Sequence, residues 1–435
     1  MLQCGVSEKD ITPALGAGIP GYFEWRYATG VLDPLFAKAL VLEQDGTVNI
    51  LIVCDTITVL RQDVLRIRKG IADLIPVCES KISVSATHTH TGGPIEGIFD
   101  DKRDYDYVTY LVNQSIAAAI EAYENRRPAK IGFATGTLPG YSFIRRHSLP
   151  DGTVLTNPGA RYPDCVAAEG EPDFTVTVAK ITDTAGKPIA FLSSYGVHPD
   201  MIGGNEFSAD YMGELSRCVK AAYGHEVVSV YFTGPCGNTN HINCANPEST
   251  GEGIYQRTGH ALFEKVRELA ETITCTDSPK LCMETRRFGI GLTRPDEAEL
   301  SWAKGVMAGD YSQNGQVGYE IEGEYQMKLF ARLAVAASEN KNEVIEVEVM
   351  VLHMDDACIV LWPTEIFVDF GQALRREFPG RHILIGELSN GTVSGYIPTQ
   401  EAAAHGGYEP RIASRTHPAR DAGDRILAHT ISMLK

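Results

Sequence analysis

The chain of 435 residues has room for roughly two or three folding units and a sizeable core. Its 43% hydrophobic and 22% charged residues are ordinary globular usage, which excludes disorder, collagen and coiled coil. Lys+Arg 39 against Asp+Glu 56 gives a net charge of −17, so neither nucleic acid nor an anionic lipid surface is an expected partner.

The first residues, MLQCGVSEKDITP, show no basic stretch followed by an apolar one, so no export signal is read there. No run approaches the ~18 apolar residues of a membrane span. Ten cysteines are scattered without a CxxC pair, which argues against a structural zinc ribbon. They read as small buried hydrophobes, and a cytoplasmic location is expected, although an exported form stays compatible with the sequence.

Strand and helix signals then alternate. Val48–Val59 is apolar and β-branched and predicts a buried strand. Asp63–Ile75 has helical spacing. Ile82–Ala86 alternates and runs straight into Thr87-His-Thr-His90. Asp106–Asn125 predicts a long amphipathic helix, and Asp173–Thr182 with Pro188–Val197 a hairpin around DTAGK. A helix over Ala209–Tyr223 precedes a strand that enters Gly234-Pro-Cys-Gly-Asn-Thr-Asn240. Helices follow at Gly253–Ile273 and Glu324–Glu339, then paired strands at Val344–His353 and Ala357–Trp362. Glu365 stands where strand gives way to helix. There is no internal repeat or linker. The expected class is α/β, with mixed β-sheets flanked by helices.

His88 and His90 are two apart, so on a strand they point to one side. Emerging before Gly92-Gly93, they suit a metal or a catalytic cleft; alternatively they are polar-loop histidines with separate partners. His198 closes an apolar strand in SSYGVHPD, as a ligand or as a hydrogen-bonded structural residue. Glu365 in WPTEIF is a functional carboxylate or an acid favouring the helix dipole. Tyr396 in SGYIPT is functional or simply a buried aromatic.

In series, these segments resemble the catalytic region of the neutral/alkaline ceramidase family of zinc amidohydrolases. The resemblance begins at Asp10-Ile-Thr-Pro13, Gly21-Tyr22 and Asp33-Pro34-Leu35 and continues through SATHTH, Arg145, His198-Pro199 and Ser208-Ala-Asp210-Tyr211. It closes with LWPTE ending at Glu365, Leu388-Ser-Asn390, Tyr396 and Tyr408-Glu409, in the family's order across nearly the whole chain.

The resemblance implies a Zn²⁺ site made by His88, His198, Glu365 and Tyr396. Imidazole and carboxylate are standard zinc donors, and zinc can bring a phenol of pKa ~10 down to phenolate. The charges of Glu365 and a Tyr396 phenolate would then balance the ion. Four protein ligands leave room for catalysis only if zinc takes a fifth or Tyr396 binds loosely. His90, Arg145 and Tyr408 match active-site positions that are not ligands: His90 to move protons, Arg145 and Tyr408 to donate to a developing oxyanion. Arg145 is alternatively a surface charge in Arg145-Arg146-His147. Asp210 orients His198 from behind, or is the first acid of the following helix.

The pattern departs in three places. Asn240 stands where the ceramidases carry a serine to which a nucleophilic role is attributed. An amide cannot serve so, though it can position substrate, and zinc-activated water becomes the expected nucleophile. Nearby Cys236 reads as a buried structural thiol, since no adjacent base is evident. Ile144 replaces an asparagine before Arg145. The chain ends at Lys435, without the family's C-terminal β-sandwich domain, so one catalytic domain over 1–435 is expected.

No long apolar lid is visible for two lipid tails. Gly21-Tyr-Phe-Glu-Trp-Arg26 lines the pocket or forms a structural turn. The leading expectation is a zinc-dependent hydrolase of an amide in a small or medium polar compound. Alternatives are a zinc enzyme on a sugar-like substrate (glycoside or lactone hydrolase, lyase or isomerase) and a non-catalytic metal-stabilised binding protein. The expected partner is a small-molecule substrate; the charge balance is compatible with a monomer or a homo-oligomer.

Overall fold

A computed structural model describes residues 1–24, 26–95, 103–158, 167–246, 251–312, 323–393 and 395–435. Two sheets lie face to face between layers of helix. The larger has eight strands in the order Val228–Thr233, Pro188–Tyr195, Thr175–Asp183, Arg127–Thr137, Gln3–Asp10, Phe36–Gln44, Thr47–Cys54 and Ile82–Ala86. Neighbours are antiparallel except for the outermost pair at each edge, which is parallel. The smaller sheet runs Leu281–Gly291, Val344–Met354, Ala357–Leu361, His382–Gly386, and its last pair is also parallel.

Leu40, Leu51 and Val230 of the larger sheet share one buried cluster with Leu352, Ile359 and Leu384 of the smaller. This is the seam between the sheets, and each aliphatic side chain buried there is worth about 1.5–3 kcal/mol. Helices α1 (Arg61–Ala72) and α2 (Tyr105–Glu124) cover one half of the larger sheet's other face. Helices α3 (Asp210–Tyr223) and α4 (Ile254–Thr272) cover the second half. Val368–Glu377 and Ala422–Leu434 cover the smaller sheet. The helices form where apolar residues recur at helical spacing: α3 buries Tyr211, Met212, Leu215, Cys218 and Val219 on one face. The Asp104 carboxylate caps α2 by accepting from the amides of Asp106 and Tyr107.

One arrangement occurs three times: an antiparallel hairpin, a helix, then a strand parallel to the hairpin's second strand. The units are Phe36–Gln44 through Ile82–Ala86, Thr175–Asp183 through Val228–Thr233, and Val344–Met354 through His382–Gly386. The carboxyl ends of parallel strands are where open α/β sheets place their ligands. Here those ends lead into Thr87–Thr91, Gly196–Asp200, Gly234–Asn238, Trp362–Glu365 and Glu387–Asn390.

The α/β class with mixed sheets is thus observed, and most predicted elements agree within a few residues. The predicted Val48–Val59 strand stops at Cys54. Ile57 and Thr58 leave the sheet to line the cavity described below. Strands Gln3–Asp10 and Leu281–Gly291 carry no clear hydrophobic alternation. The second is a half-exposed edge strand with Glu284, Arg286 and Arg287 in its middle. Among the described residues no helix is long and apolar enough to cross a membrane.

The Leu388-Ser-Asn390 segment ties the two sheets together. Ser389 bridges Ser85, the Asn390 amide donates to Val84 O at 2.7 Å, and the Ala86 amide donates to Leu388 O at 3.1 Å. Arg68 on α1, wholly buried, donates to Glu348 Oε1 (2.7 Å) on the smaller sheet and to Asn390 Oδ1 (2.9 Å). These contacts set the strand that ends in His88 and His90 against the sheet that carries Glu365.

Candidate active site

The strand ends converge on a cavity of about 360 Å³. Seven of the eight residues singled out from sequence line it: His88, His90, Arg145, His198, Glu365, Tyr396 and Tyr408. The rings of His88, His90 and His198 lie with centroids 4.7–5.0 Å apart, edge towards face. All three are buried, and their ring nitrogens lie close enough for the group to hold a metal ion.

His88 has φ +67°, a left-handed conformation that costs a non-glycine residue energy and is often retained at functional sites. Its Nδ1 lies 2.8 Å from Ile57 O, and a carbonyl only accepts, so the proton is on Nδ1. Nε2 then points at Glu365 Oε2, 3.2 Å away. Neither of these two buried atoms makes a hydrogen bond among the described residues. Burial pushes the Glu365 carboxyl up, but His88 beside it prevails and holds it at about 2. Burial lowers His88, and Glu365 in turn raises it.

Glu365 and Tyr396 face each other as partners in a short parallel pair, which brings together residues 31 positions apart in the chain. Burial pushes the Tyr396 hydroxyl well above its ordinary range, and Glu365 adds to this. The phenol therefore stays neutral unless a cation joins it. His90 and His198 share a hydrogen bond of 3.1 Å between their Nε2 atoms. Burial and then His88 lower His90 to about 4.

Arg145 is not a surface charge: it is 3% exposed. Its Nε donates to Glu409 Oε1 at 2.8 Å, its guanidinium lies 4.7 Å from the Tyr396 ring centre, and its Nη2 makes no hydrogen bond among the described residues. Arg146, also buried, takes the other oxygen of Glu409. Tyr408 stands at the cavity wall, its hydroxyl pushed up to about 12 by burial.

Asn240 stands apart from the other seven. It is wholly buried behind the cavity, pairs with Phe143 in a short antiparallel ladder, and donates from Nδ2 to Asp200 Oδ2 at 2.9 Å. In this structure Asn240 is not among the cavity-lining residues; its amide holds Asp200, which is. Of the two readings of Asp210, the structure shows the helix-opening acid. It opens α3, and its carboxylate accepts from the amides of Met201, Ile202 and Tyr211 rather than from His198. Cys236 Sγ lies 3.6 Å from His198 Nδ1. Cys236 is buried as expected and donates its thiol proton to Glu387 Oε1 at 2.9 Å. Burial raises Glu387 to about 8.

Asp200 and Glu387 were not singled out from sequence. The HPD tripeptide was the available signal for Asp200; nothing local marks Glu387. Of the Gly21–Arg26 segment, Tyr22 and Phe23 line the cavity, and Arg26 donates to His90 O at 2.6 Å. Gly21 has φ +117°, and a Cβ there would sit 3.0 Å from His90. Trp25 lies outside the described residues.

No family model and no curated protein matches the chain. Solved structures do. Neutral ceramidase from Pseudomonas aeruginosa superposes with a TM-score of 0.72 at 17% identity, covering 99% of this chain and 74% of that one. A structure described as a ceramidase complexed with C2 gives 0.72 at 18%, covering 98% and 74%. With identity this low, the likeness is one of architecture: this chain has the neutral ceramidase fold.

Proposed function

We propose that this chain is a zinc-dependent hydrolase that cleaves an amide in a small or medium polar substrate. The observation that carries this is the pair of orphaned atoms, His88 Nε2 and Glu365 Oε2, buried beside His90 and His198 in the cavity. A lone-pair nitrogen and a carboxylate oxygen left unsatisfied together are costly. A cation between them removes that cost, and the donor set of imidazole, carboxylate and phenol fits zinc. His88, His198, Glu365 and Tyr396 would hold it, with His88 oriented by its Nδ1–H donating to Ile57 O.

Bound there, zinc would supply polarisation of the scissile carbonyl and lower the pKa of a water towards ~7. The protein's own groups do the rest. Arg145 Nη2 and the Tyr408 hydroxyl donate to the carbonyl oxygen as charge develops on it. His90 takes a proton from the attacking water and returns one to the leaving nitrogen as the C–N bond breaks. The cavity is near the small end of the ~300–1,000 Å³ range for ligand sites. Thr58, Asn157, Asp200 and Arg411 line it together with the apolar Phe23, Leu155 and Phe330, so its small volume and these polar groups support a compact substrate with polar groups over one with two lipid tails.

The reading is tested by hydrolysis in ¹⁸O-labelled water. The acid product of the best substrate in a panel of polar amides and esters is expected to carry one label. Unlabelled product would instead indicate a lyase or an isomerase. His90→Ala is expected to lower turnover by ~10²–10⁴-fold while the metal stays bound. Loss of metal with activity would make His90 a ligand instead. Asn240→Ala removes one of two side-chain partners of Asp200, the other being His241. It is expected to lower kcat/KM by about tenfold or more, the value of a hydrogen bond to a charged group. An unchanged kcat/KM would remove Asp200 from the substrate's surroundings.

A further inference from the structure

Glu214 and Cys218 lie one turn apart on α3, and His260 faces them from α4. None of the three lines the catalytic cavity. Cys218 Sγ is 3.4 Å from Glu214 Oε1 and 3.8 Å from His260 Nδ1, and the three donor atoms all lie within 4.8 Å of one another. Around a tetrahedral zinc with Zn–S ~2.3 Å and Zn–N or Zn–O ~2.0–2.1 Å, neighbouring donors sit about 3.5 Å apart. The two spacings from Cys218 Sγ, 3.4 and 3.8 Å, are close to those edges.

The close approach of the two helices has an identifiable cause. A Cβ at Gly259 would come within 2.6 Å of both Glu214 Cβ and Tyr211 O. Only glycine lets α4 come this near to α3, and that approach places His260 beside the other two donors. Arg217 supports the carboxylate from outside, with Nε 2.7 Å from Oε2 and Nη2 2.5 Å from Oε1. Each carboxylate oxygen keeps a second lone pair. Such an outer clamp fixes the plane of a ligating carboxylate. Cys218 is 7% exposed and His260 is exposed, so an ion has a way in from solvent.

We propose that Glu214, Cys218 and His260 form a second metal site, separate from the catalytic cavity, that takes a thiophilic divalent cation such as zinc with water as fourth ligand. Binding forms a metal–sulfur bond and releases the Cys218 thiol proton to solvent, so uptake is accompanied by proton release. Without a cation the thiol donates to the Glu214 carboxylate.

The test is titration of the metal-stripped full chain with Co²⁺, whose thiolate complexes absorb in the near ultraviolet. A thiolate–cobalt band that saturates at one Co²⁺ per chain is expected. It should persist in His198→Ala and vanish in Cys218→Ser, which keeps the wild-type circular dichroism and hydrolytic rate. His260→Ala, at an exposed position, is expected to weaken the binding that produces the band by about tenfold or more. Absence of the band in folded wild type, its survival in Cys218→Ser, or unchanged affinity in His260→Ala would each overturn the assignment. Because the band reports thiolate ligation, its outcome is independent of whether the histidine cavity holds a metal.

Discussion

Replacing Glu348 by alanine is expected to destabilise the protein by about 3–5 kcal/mol, the cost of leaving a buried charge without its partner. Glu348 is 3% exposed and accepts from Arg68, Arg61 and Arg287 at 2.7–3.0 Å. Arg68 has no exposure at all and keeps only Asn390 Oδ1 and a methionine sulfur once the carboxylate is gone. Burial pushes Glu348 up, but hydrogen bonds from Arg68 and its neighbours outweigh it and hold the group at about 2. An ordinary glutamate titrates near ~4.3. The folded value is the depressed one, so this stabilisation is complete above about pH 5 and is lost as the pH falls towards 2. Urea unfolding of wild type and Glu348→Ala should show a constant gap between pH 6 and 8 that narrows below about pH 4. A gap under 1 kcal/mol at pH 7 would mean that the network contributes no more than a surface ion pair.

Replacing His198 by alanine is expected to lower hydrolysis by ~10⁴-fold or more, since carbonyl polarisation and water activation together supply several kcal/mol of the barrier. The same loss is expected of Glu365→Ala. His198→Ala also leaves Cys236 without its imidazole neighbour, but the thiol keeps Glu387 as acceptor, so the fold should survive. The far-ultraviolet circular dichroism of the variant should therefore match wild type while its turnover does not. Matching turnover would exclude His198 from the chemistry.

The site's chemistry was legible where one short motif carries it. Two histidines two apart at a strand end could be read as a pair, and the serial resemblance placed His198, Glu365 and Tyr396 with them. What the sequence could not reveal is what other segments do to each residue. Asn240 occupies the position that suggested substrate contact, yet the short ladder with Phe143 places its amide against Asp200. Asp210 is only 12 positions from His198, but its carboxylate is taken by the amides of Met201 and Ile202. Glu387 reaches the site because a strand of the smaller sheet ends beside Cys236, a separation of 151 residues. Nor could the threefold hairpin–helix–strand arrangement be seen, since the ends of the hairpins' second strands carry dissimilar residues: Asp-Thr-Ile-Thr in one, Gly-Val-His-Pro in another, Trp-Pro-Thr-Glu in the third. The alternation that predicts buried strands is strong where both faces are covered, as in Thr47–Cys54, and weak at the edge strand Leu281–Gly291.

The measurement that bears most directly on the catalytic reading is zinc content per chain, by elemental analysis, in wild type and His198→Ala purified side by side. The two proteins are expected to differ by one zinc per chain, the ion held among His88, His198, Glu365 and Tyr396. Equal zinc in both, or none in either, would contradict that ligand set and leave the neutral ceramidase fold without its proposed metal chemistry in this chain.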